Sequence, residues 1–208
     1  MGSYPRRSPV VFEDPPCNTE FRGHWEVVLE YEREGNGPFL IDLSHISKWD
    51  IQDADLSRIK PLGVKTPPTP GYSVLKKGML ISRMNRTQVA VWHLLKQRSC
   101  DAVGVAYTDI TDAFAILAVL GKEVDSLMEK VSDLDLRPPE KNPPFLLQGP
   151  VSRVPCQVVV MEKRGGLSGV LIGCARGYGR SMAESLLAAG ERWGLRPAGE
   201  TAFLDWLK

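Results

Sequence analysis

Long apolar runs are missing from this chain. Nothing approaches the ~20 consecutive apolar residues of a membrane-spanning helix. The opening MGSYPRRSPVVFEDPP carries no apolar stretch of signal-peptide length, so no secretory signal is expected. Cysteine and histidine are scarce, with four cysteines (Cys17, Cys100, Cys156, Cys174) and three histidines in 208 residues. No two cysteines form a C-x-x-C pair, which with so little histidine argues against a zinc site. Charge of one sign is not in excess either: 26 Lys and Arg stand against 25 Asp and Glu, a formal net charge of +1. No global field therefore favours nucleic acid or an acidic membrane. Solenoid repeats and low-complexity tracts are also absent.

What is present is ordinary for a globular chain: 43% hydrophobic and 25% charged residues, enough to bury a core without disulfides or metals. The length fits one large domain or two small lobes. Cys156 and Cys174 lie in apolar runs and read as reduced core residues of a cytoplasmic protein; the other reading is one disulfide in a secreted protein. The Met-Gly-Ser start could open a myristoylation signal, but Arg6 and Arg7 follow without a clear second signal, and an expression-tag remnant reads as well.

Residues 1–20, with Pro5, Pro9, Pro15 and Pro16, predict an extended arm draped over a partner or over the protein itself. HWEVVLEYE alternates Trp25, Val27, Leu29 and Tyr31 with charge, so it predicts a strand, and FLIDL after the turn signals of EREGNGP predicts its hairpin partner. DADLSRIKPLG predicts a short helix capped by Asp53 or Asp55 and stopped by Pro61 and Gly63. VKTPPTPGYS is irregular. GMLISRM and QVAVWHLL flank the turn MNRT as two strands. Beyond Val103, VGVAYTDITDAFAILAVLG predicts one or two strands, and KEVDSLMEKVSDLDL a helix with Val124, Leu127, Met128 and Val131 on one face. VSRVPCQVVVMEK and SGVLIGCA predict strands joined by an RGG turn. SMAESLLAAGERWGL predicts a helix opened by a Ser181–Glu184 capping box and weakened at Gly190 and Gly194. The order strand–helix–strand–strand–helix makes most of a ferredoxin-like split βαβ unit. The chain thus predicts an α+β protein with an arm (1–20), an N-terminal lobe (21–102) and a ferredoxin-like C-terminal lobe (103–208) of the same domain.

The chemistry-bearing clusters are few. GPFLIDLSHISKWDI brings together Asp42, Ser44 and His45. On a strand Asp42 and Ser44 share one side and His45 faces the other, a poor geometry for a nucleophilic triad. The plainer reading is a strand end whose Asp and Ser bind nearby backbone. TDITDAF offers Asp109 and Asp112, a carboxylate pair that could serve glycoside hydrolysis or a metal, though turn and cap roles fit the flanking threonines. GCARGYGRSMAE places Arg176 and Arg180 near a helix start, where a carboxylate or phosphate could bind. No Lys-Ser/Thr follows, and Met182 stands where a dinucleotide fingerprint needs its third glycine. The five tryptophans are scattered and suit packing better than a stacking site.

Three stretches carry a family resemblance. LLAAGERWGLRPAGETAFLDWL looks like the end of the folate-binding domain in the glycine-cleavage T-protein (aminomethyltransferase) family. TDITDAFAILAVLGKEVDSLMEKVSDLDL is similar to that family's strand, turn and helix, and GPFLIDLSHISKWDIQDAD resembles its early D-x-S-H segment. The matches span about residues 20–207. The size resembles a truncated relative, the gamma subunit of heterotetrameric sarcosine oxidase, whose last helix opens on an Arg-Ser like Arg180–Ser181. The resemblance implies an aminomethyltransferase folate-binding-domain-like fold and one-carbon metabolism.

Both acids that serve the family's chemistry are replaced. Ile81 and Ser82 stand where an aspartate near the folate nitrogens would fall. In the R-x-G-Y-T-G-E motif Arg164, Gly166 and Gly169 fit, whereas Leu167, Ser168 and Val170 replace Tyr, Thr and Glu. A valine cannot accept the pterin's N–H donors, and leaving such donors unpaired costs ~1–3 kcal/mol. The expectation is a non-catalytic subunit or accessory of a larger one-carbon or redox complex, with a protein partner or a second copy of itself and with neither nucleic acid nor membrane. The alternative is a tetrahydrofolate-binding protein or aminomethyltransferase-like enzyme with a divergent site. Asp42, Arg164, Arg176 and Arg180 are then its candidate contacts, the arginines for the glutamate tail. An iron–sulfur-repair branch of the same fold is a third class, but its K-G-C-Y-x-G-Q-E motif has no counterpart around Cys174.

Overall fold

The computed structural model describes residues 6–95 and 106–208. Cys100 and the expected lobe boundary at 102/103 lie outside the described residues. Thirteen strands and three α-helices follow in chain order among them: β1 (Pro16–Arg22), β2 (Trp25–Tyr31), β3 (Phe39–Asp42), β4 (Lys48–Gln52), β5 (Ser73–Lys76), β6 (Met79–Arg83), β7 (Gln88–His93), β8 (Tyr107–Asp109), β9 (Phe114–Gly121), α1 (Val124–Val131), β10 (Phe145–Val151), β11 (Val154–Arg164), β12 (Leu167–Ala175), α2 (Gly179–Gly190), β13 (Arg196–Ala198) and α3 (Glu200–Leu207). They build a six-stranded sheet, β10-β11-β12-β9-β3-β13, a five-stranded sheet, β5-β6-β7-β4-β8, and a β1-β2 ribbon.

The six-stranded sheet is covered on both faces, and its sequence reflects that. Ala115, Leu117 and Val119 of β9 pack with Val124, Leu127 and Met128 of α1 and Met182, Ala183 and Leu186 of α2. The intervening Ile116, Ala118 and Leu120 pack with Leu80, Ala90 and Trp92 of the second sheet and Phe203 of α3. A strand buried on both faces reads as a continuous apolar run, which is what FAILAVLG is. The five-stranded sheet turns Trp49, Ile51, Ile81, Val89 and Val91 to a third core that Leu56 and Val64 close.

The α+β class and the split βαβ unit are both present, with two additions. β9, α1, β11, β12, α2 and β13 follow the ferredoxin-like order, but β3 inserts between β9 and β13, pairing antiparallel with the first and parallel with the second. β10 adds an outer strand beside β11. Each sheet also borrows across the expected lobes, since β3 joins the six-stranded sheet and β8 the five-stranded one.

Four local expectations are corrected. β2 does not form a hairpin with β3; it pairs with β1, a strand that begins inside the expected arm. The reason is burial: Leu40 and Ile41 of β3 are both 0% exposed, so β3 needs an interior place, whereas β2 keeps alternate residues in solvent. The capping box is absent because α2 starts two residues earlier; Ser181 Oγ donates to Tyr178 O and Glu184 pairs with Arg180. DADLSRIKPLG forms two 3-10 turns rather than one helix, with Asp55 accepting from Ser57 N. VSRV is a turn, not a strand start: Ser152 and Arg153, both at positive φ, join β10 to β11.

Two tryptophans set how closely the layers approach. Gly169 and Gly173 lie four apart on one face of β12, against the rings of Trp206 and Trp92 respectively; a Cβ at Gly173 would stand 2.9 Å from Trp92 Cζ2. Gly173→Val therefore overpacks the seam between the sheets. The expected outcome is a loss of about 1–3 kcal/mol in urea unfolding, and a midpoint equal to that of the wild type would contradict this packing.

Candidate functional site

The D-x-S-H segment is where the chain leaves one sheet for the other. β3 ends at Asp42 in the six-stranded sheet, and β4 begins at Lys48 in the five-stranded one. The intervening turn is buried, so its polar groups need partners inside the protein. Ser44 N donates to Asp42 Oδ1 at 2.9 Å, Ser8 Oγ donates to Asp42 Oδ2, and Val10 N donates to Ser8 Oγ. Ser44 Oγ accepts from Ile116 N at 3.2 Å, tying the turn to β9.

β3 ends at Asp42, so Ser44 and His45 lie in the turn beyond it and the strand alternation expected of them does not apply; the His45 ring meets a carboxylate from the far end of the chain. His45 Nε2 lies 2.7 Å from Glu200 Oε1, and Arg22 Nη1 lies 2.5 Å from Glu200 Oε2. Glu200 is the first residue of α3 and is 2% exposed. Burial pushes its carboxyl upward; the His45 contact and the Arg22 guanidinium outweigh burial and hold it below the usual range.

Lys48 is 0% exposed. Its Nζ donates to Ser44 O at 2.7 Å and Ile46 O at 3.0 Å, and its backbone N donates to Thr111 Oγ1. Burial lowers its ammonium to about 7, against the opposing pull of Asp42, Asp112 and Asp109. Asp109 and Asp112 do not form a joint carboxylate site. Asp109 Oδ1 accepts from Thr111 N, the turn role favoured from sequence, and Asp112 pairs with Arg6 at 3.0 Å. The described residues hold no cluster of three or more His, Cys, Asp or Glu placed to grip a metal.

The four candidate contacts do not converge. Asp42 and Arg176 both lie under the N-terminal arm: Arg176 Nη2 donates to Arg7 O, and its guanidinium lies 5.5 Å from the Trp25 ring centroid. Arg164 sits at the other end of the β11-β12 hairpin, where it pairs in register with Leu167 and donates from Nη1 to Leu207 O at 2.9 Å. By strand rise it is roughly 30 Å from Arg176, too far for both to hold one short carboxylate tail. Arg180 points outward, its side chain 73% exposed, and pairs with Glu184.

Ile81 is 0% exposed and Val170 1%, so both positions where the resemblance implies an acid are core. Ser82 Oγ is 2.8 Å from Ser73 Oγ. Sequence reasoning missed Lys48, Glu200 and Arg22. A lysine between Ile46 and Trp49, and a glutamate opening an apolar helix after a Pro-Ala-Gly turn, were the available signals. For Arg22, no local signal exists.

Two pH dependences follow with opposite signs. Glu200 has a depressed folded pKa, so it stabilises the fold above its unfolded value near 4.3, and that contribution is lost as pH falls through the folded value. Glu200→Gln should cost about 1.5–3 kcal/mol at pH 7 and flatten the acid-side fall in melting temperature between pH 6 and 3; an unchanged acid limb would refute the role. For Lys48 the folded state releases its proton near pH 7 and the unfolded chain only near 10.4. Between those values the unfolded chain holds more protons, so stability rises with pH, by at most about 1.4 kcal/mol per unit. Denaturant titrations at pH 7, 8 and 9 should show this slope in the wild type and a smaller one in Lys48→Met.

No family model matches the chain, and no curated protein matches it in sequence. Among solved structures it is similar to a chain of the heterotetrameric sarcosine oxidase from Corynebacterium sp. U-96, a structure of that enzyme in complex with pyrrole 2-carboxylate. The TM-score is 0.62 at 10% identity, over 74% of this chain and 84% of that one. The chain therefore shares the fold of a chain of that heterotetramer, over most of the length of each.

Proposed function

We propose that the chain is a non-catalytic subunit or accessory protein of a larger oxidase-type complex, linked to one-carbon metabolism and related in role to the gamma-type chain of sarcosine oxidase. The observation that carries this reading is the inward commitment of the D-x-S-H crossover. Asp42, Ser44, His45 and Lys48 are each bonded within the protein, and Ser44, His45 and Lys48 are buried. The likeness to a chain of a heterotetramer supports an assembled role. No helix among the described residues is long and apolar enough to cross a membrane.

The β1-β2 ribbon supplies a surface for assembly. β1 is exposed along nearly its whole length and pairs with β2 alone among the described strands. An unpaired edge is a template for another chain. Phe21 on that strand is 63% exposed, and Val11 just before it is 61% exposed. Exposed aromatics at a polar rim are characteristic of interface cores.

Size-exclusion of a native extract followed by immunoblotting tests the reading. The chain should elute far above its own 23.0 kDa, in fractions that contain an oxidase chain, and Phe21→Glu should shift it toward the monomer position without changing its melting temperature. Elution of the wild type as a monomer would overturn the proposal. Calorimetric titration of the purified chain with 5-formyltetrahydrofolate separates the alternative: the subunit reading expects no saturable heat, whereas micromolar binding would favour a folate-binding protein.

A further inference from the structure

A cavity of about 390 Å³ opens over the ends of β10, β11 and β12 on the α1 side of the large sheet. It falls within the range of small-molecule sites, roughly 300–1,000 Å³. Phe145, Val160 and Val170 make its apolar floor, and the proline-rich loop after α1, with Leu136 and Pro143, makes a wall. None of the sequence-predicted contacts Asp42, Arg164, Arg176 or Arg180 lines it.

A defect in the strand pairing builds its polar end. Met161 pairs with Gly169 and Arg164 with Leu167, so Glu162 and Lys163 together oppose the single residue Ser168. Such a bulge bends the strand and re-aims a side chain. Lys163 and Ser168 both line the cavity. Ser168 is only 7% exposed, and its hydroxyl has no protein partner among the described residues. The hydroxyl faces the cavity and can meet an acceptor on a ligand there.

Charge at the mouth is one-sided. Arg137, Lys141 and Lys163 line it against a single carboxylate, Asp125. That carboxylate is committed to Arg137. Lys141 Nζ lies 5.7 Å from the Phe145 ring centroid, over the apolar floor. Lys163 is exposed and makes no ion pair or hydrogen bond among the described residues.

From these features we propose that the cavity is a binding site for a small organic anion: an apolar, flat body resting on Phe145, Val160 and Val170, with a carboxylate or similar anionic group between Lys163, Lys141 and the Ser168 hydroxyl. The apolar floor supplies affinity and the two uncommitted ammonium groups fix orientation. The site does not depend on the subunit role, because every residue in it belongs to this chain.

The test is a fluorescence titration of the full chain with 1-anilinonaphthalene-8-sulfonate, an aromatic body with one anionic group. Saturable enhancement at one probe per chain is expected, displaced by 2-naphthoate and at least tenfold less well by neutral 2-naphthylmethanol. Lys163→Glu should weaken probe binding at least tenfold, and Ser168→Leu, which covers the polar end, should weaken 2-naphthoate at least tenfold, both with melting temperatures near the wild type. Should Ser168→Leu fail to fold, exposed Lys163→Glu decides alone. Absence of saturable enhancement, affinity unchanged in Lys163→Glu, or equal displacement by the two naphthalenes would each overturn the site.

Discussion

The structure depends on one buried crossover, the five residues between β3 and β4 that carry the chain from one sheet to the other. Such a segment has an inherent problem: it must run through the interior, yet its backbone lacks ladder partners. Here Leu43 N still donates to Ile116 O and Ser47 O accepts from His93 N, and side chains supply further partners. Lys48 reaches back to satisfy Ser44 O and Ile46 O, Ser44 accepts from β9, and Asp42 accepts from the turn and from the arm. Placing an ammonium in this interior is costly, which is why its proton is held so weakly. The cost is tolerated because two carbonyls, Ser44 O and Ile46 O, would otherwise be buried unpaired, each at about 1–3 kcal/mol.

From that crossover the unity of the two sheets follows. The His45–Glu200 contact joins the turn to the last helix, and Arg22 brings in the ribbon. Trp92 of the small sheet seats on Gly173 of the large one, and Trp206 of α3 on Gly169. Because β3 and β8 each sit in the sheet built mainly by the other half, neither half can complete its sheet alone. The arm is part of the same arrangement, since Ser8, Arg6 and the Arg7 carbonyl bond to Asp42, Asp112 and Arg176. It binds the protein's own surface, one of the two roles its prolines suggested.

What was legible in the sequence tracks how local the determining physics is. FAILAVLG, MLISR and QVAVWH announce themselves by apolar content, and the helix at Val124 by its 3.6-residue period. The split βαβ order could be read because its elements alternate at close spacing. The misplaced partner of β2 could not be read, because pairing was decided by the double burial of Leu40 and Ile41 within a sheet assembled from residues far along the chain. The β10-β11 turn escaped notice because Ser152 and Arg153 take the left-handed conformation usually signalled by Asn-Gly. At the site, Ser44 and His45 lie in a turn and not on the strand, but the strand end at Asp42, with Asp42 accepting from the turn backbone, was legible. Glu200 and Arg22 were not, as they come from 155 residues downstream and from the far ribbon.

The fold likeness and the absent acids bear on each other through burial. A carboxylate near position 81 or 170 would need an exit to solvent or a counter-charge. Ile81 instead packs against Trp49 and Val91 in the outer core, and Val170 against Val160 and Phe145 beneath α1. A single substitution to Asp or Glu at position 81 would place an unpaired charge in an apolar core, a change that neutralises the carboxylate or costs several kcal/mol. The core is closed over position 81, whereas Val170 also floors the cavity that Arg137, Lys141 and Lys163 rim. The fold presents two open features: an exposed edge strand at β1, and a lysine-rimmed cavity floored by the same Val170 that stands where the family resemblance implies a glutamate.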